Sequence, residues 1–355
     1  MKVLLYSPAF LPRVGGLEIN VAQLAEHLAE AGCELTVVTT TAGPADIPAD
    51  AARPYRVVRR PGPAELLRWT RWCDVFFQAN VSLRGLWPLL LVRRPWVVSH
   101  HSWYCRSDGR IAWQDRLKRR LLRHAAASIA VSHGVAADLA VPTVVIHNAY
   151  RDDLFRLLPA AARDRELAFV GRLVSDKGVD VLLDALAALA APENGGLTPR
   201  LTVVGDGPER AALRAQAERL GLAARVELVG TRTGEELVAL LNRHRILVVP
   251  SRYAEPFGIV ALEGIASGCV VVGSEGGGLK EAIGRCGRTF ANGDAADLAR
   301  VLAEVLRHPE RDGDYLRHAA AHLAEHASQR VTAAYLGVLT GVLARRRGER
   351  QGRTA

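Results

Sequence analysis

The chain has 355 residues, 49% hydrophobic and 23% charged, with a net charge of +9. That is enough apolar material for about two cored domains and excludes a disordered or low-complexity chain. The basic balance favours acidic partners such as nucleotides, phosphorylated lipids or an anionic membrane face, and no run of about 18 apolar residues is present to cross a bilayer. Five cysteines (Cys33, Cys73, Cys105, Cys269, Cys286) are scattered without a CxxC or metal-like spacing. They predict reduced thiols and a cytoplasmic setting, with Cys33 and Cys269 buried beside apolar strands. Met1 to Tyr6 is too short for a secretion core, so no leader is expected.

Lys2 to Ser7 predicts a buried strand, and Pro8 to Val14 a loop closed by Gly15-Gly16. Leu17 to Ala31 has helical spacing, with Ile19, Ala22, Leu24, Ala25, Leu28 and Ala29 on one face, and Gly32 stops it. Glu34 to Thr40 is the next strand. Strand, loop, helix and strand make a βαβ unit, and hence a parallel sheet. Ligands bind beyond the carboxyl ends of such strands, where Gly15 and Gly16 lie. The pair is not a GxGxxG fingerprint, and a plain tight turn is the competing reading.

Thr41 to Ala52 is a polar loop. Strands follow at Tyr55 to Arg59, Val75 to Gln78 and Trp96 to Ser99, with helices at Ala64 to Trp72 and Ser82 to Val92. His100 and His101 then stand at a strand end beside Trp103 and Tyr104. A histidine there can meet a sugar hydroxyl or a phosphate, or it can serve the core. Trp113 to His124 is a basic amphipathic helix, and Arg53 to Arg123 holds 16 Lys/Arg against 4 Asp/Glu. Such a face suits an anionic lipid surface or plain solvent. Nucleic acid is not expected, because no zinc-finger spacing or RNP-like aromatic segment accompanies the charge. Ser128 to Ser132 and Val144 to Ile146 are further strands, the last ending at His147-Asn148. Between Tyr150 and Glu166 the periodicity fades, which places a domain boundary there and gives segments 1–160 and 161–328.

The second half repeats the pattern. Strands are predicted at Leu167 to Val170, Leu201 to Val204, Val226 to Val229, Ile246 to Val249 and Val270 to Gly273. Helices are predicted at Val179 to Ala190, from Pro208 to Leu220, and at Glu235 to Asn242. Two doubly wound parallel α/β sheets in tandem follow, with the cleft between them as the expected binding site. Arg172 and Lys177 flank one strand-end loop, and Gly178 opens the next helix. A fixed guanidinium, a mobile ammonium and a helix N-terminus can clamp a diphosphate without Mg²⁺. No DxD pair lies at a suitable strand end to hold a metal. Two surface cations are the plainer reading. Glu255 lies on the loop after Val249, and Glu263 is expected two turns into a helix starting near Gly258. Glu263 can accept hydrogen bonds from both ribose hydroxyls and Glu255 from sugar hydroxyls, while Gly205, Gly207 and Gly276 to Gly278 let backbone approach a ligand.

Together these motifs resemble the retaining glycosyltransferases of the GT-B fold that carry an E-x7-E signature (the family 4-like "glycosyl transferases group 1"). The signature is Glu255 to Glu263. Around it stand Gly15-Gly16 with Glu18, the strand-end His, Val131-Ser132, Asn148, Phe169 to Leu173 with Lys177-Gly178, Gly205 to Pro208, Pro250-Ser251, Glu255 to Gly258, and Gly277-Gly278 with Glu281. The resemblance covers most of the chain in the expected order. It implies two Rossmann-like domains facing a cleft, and a sugar moved from a UDP- or GDP-linked donor to an acceptor hydroxyl, without a metal or other cofactor.

By the same resemblance, Arg172 and Lys177 bind the donor diphosphate and Glu263 holds the ribose. Glu255, with the N–H groups of Phe257 and Gly258 and with Ile259 beside them, holds the transferred sugar. Gly15 and Gly16 line the cleft, backbone near Val229 and Gly230 reads the base, and His101, with His100 as the fallback, contacts the sugar near the reacting centre. With no carboxylate nucleophile evident opposite the sugar, a front-face reaction is expected in which the leaving phosphate helps deprotonate the acceptor. Cys269 and Lys280 stand where Pro is usual, and Asn148-Ala149-Tyr150-Arg151 replaces Asn-Gly-Val-Asp. The last helix, at 329–345, is expected to return to the first domain, with 346–355 a disordered basic tail. A lipid-linked, polysaccharide or small-molecule acceptor, met at the inner membrane face, is the expected partner. The alternatives are an epimerase or hydrolase of the same fold, or a non-catalytic nucleotide-sugar-binding protein.

Overall fold

A computed structural model describes residues 1–12, 15–43, 48–105, 110–159, 161–192 and 196–351. Parts of the expected loops before Gly15 and after Thr41, and the tail beyond Gln351, lie outside that set. The chain forms two compact units, Met1–Ala149 with Ser328–Ala355, and Tyr150–Ala327. The sequence reading puts the break eleven residues later, after 160, because periodicity fades only gradually after Asn148.

The first unit runs β1 (Lys2–Ser7), α1 (Gly16–Glu30), β2 (Glu34–Thr39), α2 (Pro48–Ala51), β3 (Arg56–Arg59), α3 (Pro63–Trp72), β4 (Val75–Ala79), α4 (Leu83–Leu86), β5 (Trp96–His100), α5 (Trp113–Leu121), β6 (Ala127–Ala130), α6 (His133–Asp138) and β7 (Val144–Val145). Its seven strands are ordered β3-β2-β1-β4-β5-β6-β7, and every pairing is parallel. Val3, Leu4 and Leu5 of β1 are wholly buried, as both faces of a parallel sheet under helices require. The order reverses between β1 and β4, so the β1 end is a switch point where a crevice opens. The expected helix from Ser82 to Val92 breaks into α4 and a 3-10 turn, Trp87–Leu90, because Pro88 cannot donate in a helix interior. The basic helix likewise tightens to a 3-10 turn at Leu122–His124.

The second unit runs β8 (Arg165–Val170), α7 (Val179–Ala190), β9 (Leu201–Val204), α8 (Arg210–Arg219), β10 (Val226–Gly230), α9 (Gly234–Arg243), β11 (His244–Val249), α10 (Ile259–Ala266), β12 (Val270–Ser274), α11 (Leu279–Ile283), β13 (Gly287–Phe290), α12 (Ala295–Arg307), α13 (Asp312–Leu316) and α14 (Ala319–Glu325). Its six parallel strands are ordered β10-β9-β8-β11-β12-β13. Ile246 and Val248 join the core formed with α7, α8 and α12. Leu247 points the other way, and its Cδ2 would lie 2.4 Å from a Cβ on Gly264, so glycine lets α10 settle closely on the sheet without moving that side chain. The switch point falls between β8 and β11, which brings the Arg172–Lys177 loop beside the Glu255 loop.

The last helix, α15 (Ser328–Gln351), belongs to the first unit. Val331, Tyr335, Leu339 and Val342 enter the core formed by β1, β4 and α1. Gln23 Nε2 donates to Ser328 Oγ at 2.7 Å and fastens the start of α15 to α1. The helix carries on through Arg345, Arg346 and Arg347, so the basic segment read as a disordered tail is helical as far as Gln351.

Candidate active site

The second unit gathers its polar residues at the carboxyl ends of β8, β9, β11 and β12. Lys177 closes a 3-10 turn, Ser175–Lys177, and Gly178 follows at φ +65. A Cβ on Gly178 would lie 2.0 Å from the Pro250 carbonyl oxygen, so glycine lets the two loops touch. The Arg252 N–H donates to the Asp176 carbonyl at 2.9 Å and binds them together. Across this contact Lys177 Nζ donates to Glu255 Oε1 at 2.5 Å, and Ser251 Oγ donates to the same oxygen at 2.6 Å. Glu255 is 6% exposed, and these two donors stand in for the water its carboxyl has lost.

Gly277, at φ +75, makes an isolated parallel bridge with Glu255, and the Gly278 N–H donates to the Glu255 carbonyl at 2.7 Å. Asn292, which the sequence reading passed over, accepts from the Gly276 N–H at 2.7 Å and donates to the Ser251 carbonyl at 3.0 Å. No local signal singles it out, because its partners come from the ends of two other strands, β11 and β12. Gly258, at φ +96, precedes α10 and offers no side-chain cap, which leaves the first N–H groups of that helix to a ligand. Phe257 is 1% exposed and anchors the turn, and Ile259 opens the helix, half-buried.

Arg172 is exposed and, among the described residues, makes no ion pair. Gly205 sits at φ +135, where a Cβ would lie 1.8 Å from the Gly171 carbonyl oxygen, and one on Gly207 would lie 2.3 Å from that of Leu173. These glycines fold the β9 loop onto the loop bearing Arg172. Val229, half-buried in β10, precedes Gly230, whose carbonyl accepts from the Gly205 N–H at 2.9 Å.

Glu263 falls four residues, about one turn, into α10 and not two, since even a start at Gly258 puts only five residues before it. Burial pushes its carboxyl up to about 7, with the Arg151 guanidinium pulling the other way. Arg151 was read as a departure from a motif, and its charge towards Glu263 shows only in the fold. Ribose hydroxyls bind the carboxylate better than the acid. On the ribose contact expected from the sequence, donor KM should fall as pH rises through about 7, and Glu263→Gln should flatten that dependence in steady-state assays. Stability should run oppositely. Its raised pKa favours the fold below the ordinary 4.5, and that contribution is lost as pH rises through about 7.

In the first unit, Gly15 caps α1 at φ −167, an extended conformation open to any residue, and a Cβ there would meet only the Glu18 carboxyl, at 2.5 Å. Gly16 starts the helix with open space around it. His100 is a core residue. Its Nδ1 bonds the Tyr104 hydroxyl at 2.6 Å and its Nε2 the Ser128 hydroxyl at 3.0 Å, and burial drives its pKa down to about 3. His101 differs. Its N–H donates to Asn80 Oδ1 at 2.8 Å and its Nε2 bonds Ser99 Oγ at 2.8 Å, while Nδ1 is buried without a partner. Burial holds this ring near 4, hence neutral, with Asn148 opposing the shift.

Residues 151–322 match the family described as "Glycosyl transferases group 1", and residues 14–154 match "Glycosyltransferase Family 4". The chain belongs to this glycosyltransferase group, and its fold is GT-B. It is 39% identical over 204 residues to a glycogen synthase of Mycobacterium tuberculosis, a match covering 54% of this chain and 46% of that protein. It is 29% identical to a D-inositol 3-phosphate glycosyltransferase of Nocardia farcinica, over 88% of this chain and 81% of the relative. The match thus spans less than half of the glycogen synthase. Among solved structures, Anabaena Alr3699/HepE in complex with UDP superposes with a TM-score of 0.82 at 21% identity, covering 96% of this chain and 100% of that one. The thiols of Cys33, Cys73, Cys269 and Cys286 are buried and Cys105 is half-buried, and none of the five is in a disulfide among the described residues. No helix among the described residues is long and apolar enough to cross a membrane.

Proposed function

We propose that this glycosyltransferase-group protein moves a sugar from a nucleoside diphosphate sugar to an acceptor hydroxyl with retention at the anomeric carbon. The observation that carries the reading is the Lys177–Glu255–Ser251 cluster beside the uncapped start of α10. It sets a cation, a carboxylate and free N–H groups around one volume at the switch point of the second sheet. Lys177 and Arg172 hold the diphosphate without help from a metal ion, Glu263 holds the ribose, and Glu255 the transferred sugar. Backbone near Val229 and Gly230 reads the base, and His101 meets the sugar hydroxyls. The acceptor oxygen bonds to the anomeric carbon on the face from which the diphosphate departs. The acceptor proton passes to the oxygen that leaves with the phosphate. Catalysis is then positioning plus stabilisation of the departing charge.

The test is a screen of UDP- and GDP-sugars with mono- and oligosaccharide, polyol phosphate and lipid-linked acceptors, run with and without EDTA and read by NMR of the product anomer. UDP donors come first, since the HepE structure holds UDP. Acceptor-dependent transfer with retention, undiminished by EDTA, is expected. Acceptor-independent release of the nucleotide, or an inverted product, would refute the reading.

The first unit also exposes Leu90 (86%), Leu91 (67%) and Trp113 (69%) within its basic stretch. Apolar side chains among cations suit the anionic inner face of a cytoplasmic membrane, where a lipid-linked acceptor would be met. Cosedimentation is expected with vesicles containing phosphatidylglycerol, reversed by salt, and not with phosphatidylcholine alone. Equal binding to both vesicle types would count against this placement.

A further inference from the structure

α14 carries two histidines four positions apart, His322 within it and His326 at its carboxyl end, so both lie on one face of the helix. Their rings are 4.7 Å apart at 54°. His322 Nε2 meets the Ala282 carbonyl of α11 at 2.8 Å, and the His322 carbonyl meets His326 Nδ1 at 2.8 Å. A carbonyl oxygen can only accept, so His322 Nε2 and His326 Nδ1 are the donors. Gly284, at φ +55, ends α11, and a Cβ on it would lie 2.7 Å from His322 Cε1, so glycine lets the imidazole close onto that helix. His326 is 1% exposed, and its ring lies 5.7 Å from that of Phe257, tilted by 31°. Phe257 is the anchor of the turn before α10. The two helices that α14 meets therefore begin at the loops Glu255 to Gly258 and Gly276 to Gly278, which the Gly278 N–H joins by donating to the Glu255 carbonyl.

We infer that His326 is a positioning residue for the Phe257–Gly258 turn, anchored through His322 to α11. The inference rests on the reading that this turn holds the transferred sugar. Gly258 stands at φ +96 and gives α10 no side-chain cap, so the first N–H groups of that helix take their aim from whatever fixes the turn. Phe257 fixes it only as firmly as the wall behind its ring. A leucine in that wall would fill the space but could turn about its side-chain torsions. The His326 ring offers a flat face to Phe257, and its Nδ1–H ties that face to the His322 carbonyl, so the ring is held from rotating away. Hydrogen-bond donors aimed at a reacting ligand lose much of their value when displaced by a fraction of an ångström. His326 thus acts through Phe257 and not by touching the donor.

His326→Ala opens space behind Phe257 and is expected to lower kcat for transfer about 10-fold. UDP-glucose, or the GDP-sugar if the screen above selects it, should bind about 5-fold more weakly, the scale of one impaired hydrogen bond. The bare nucleoside diphosphate, which lacks the sugar, should bind as it does to wild type. A merely structural loss would move both ligands together, or only the urea midpoint. His326→Phe keeps a flat ring against Phe257 and should recover most of the rate, whereas His326→Asn, which keeps an N–H donor but no ring, should not. The ¹H–¹⁵N amide signals of Gly258 and Ile259 in the ligand-free, full-length protein should move in His326→Ala and return in His326→Phe. Should His326→Ala unfold, His322→Leu, which cuts the tie to Ala282, should show the same selective loss of the sugar-bearing ligand. Equal effects on the sugar donor and its bare diphosphate, or unmoved Gly258 and Ile259 signals, would overturn the inference. If Glu255→Gln leaves transfer intact while those signals still follow His326, the packing stands and the sugar contact of the turn falls.

Discussion

Lys177→Ala is expected to lower kcat/KM for transfer by about 10³-fold, the scale of losing one preorganised charge at a developing anion. The ammonium is placed by a 3-10 turn whose end is held against Pro250 through Gly178, so few other side chains can reach the same point. Its loss acts twice. Under the proposed reaction the departing diphosphate loses a cation, and the buried Glu255 carboxylate is left with Ser251 alone. That second effect should cost about 1–3 kcal/mol of stability, visible in urea unfolding. The double variant Lys177→Ala/Glu255→Gln should recover the stability and none of the activity, since it removes the orphaned charge without restoring the clamp. Lys177→Arg should not rescue, because a planar guanidinium cannot replace a point charge seated 2.5 Å from Glu255. A Lys177→Ala enzyme turning over at the wild-type rate under saturating donor would remove Lys177 from the chemistry.

Gly205→Ala should be the most damaging of the small substitutions, at about 3–5 kcal/mol of stability. Two penalties coincide there. The backbone angle of +135° is one that only glycine adopts readily, and the added methyl would lie 1.8 Å from the Gly171 carbonyl oxygen. Backbone cannot swing aside as a side chain can, because Gly171 N–H and Gly205 N–H are held to the Val204 and Gly230 carbonyls at 3.0 and 2.9 Å. Gly221→Ala is the matched control. Its φ is +68 but nothing lies within 4 Å of the added atom, so only the conformational cost of about 1–2 kcal/mol remains. Equal losses at the two positions in chemical denaturation would show that the contact with Gly171 is not what demands glycine. Since Gly205 also folds the β9 loop against the Arg172 loop, any folded remainder should bind donor more weakly as well.

Most strands and helices were legible because their signal is local. A parallel strand under helices reads as a short apolar run, as in Leu201–Val204, and a covering helix as a 3.6-residue stripe, as in Val179–Ala190. The residues of the second unit's candidate site were legible for a related reason. A strand end, a glycine and a charged or polar residue sit within a few positions of one another at Arg172, Lys177, Gly205, Glu255 and Glu263. The stretch from Gly284 to Ala327, including β13 and α12, went unread, although Asn292 from that segment ties two loops of the site together. What the order of residues determined by itself was the alternation of elements, the parallel sheets it compels, and which loops end at strand termini. Only the tertiary structure decided that Lys177 meets Glu255, that Arg151 opposes the burial of Glu263, and that His100 is spent on Tyr104 and Ser128 while His101 bonds Ser99 and Asn80. Each of these depends on contacts between segments distant in sequence. Periodicity reports which face of an element is buried, but carries no information about which distant side chain shares that burial.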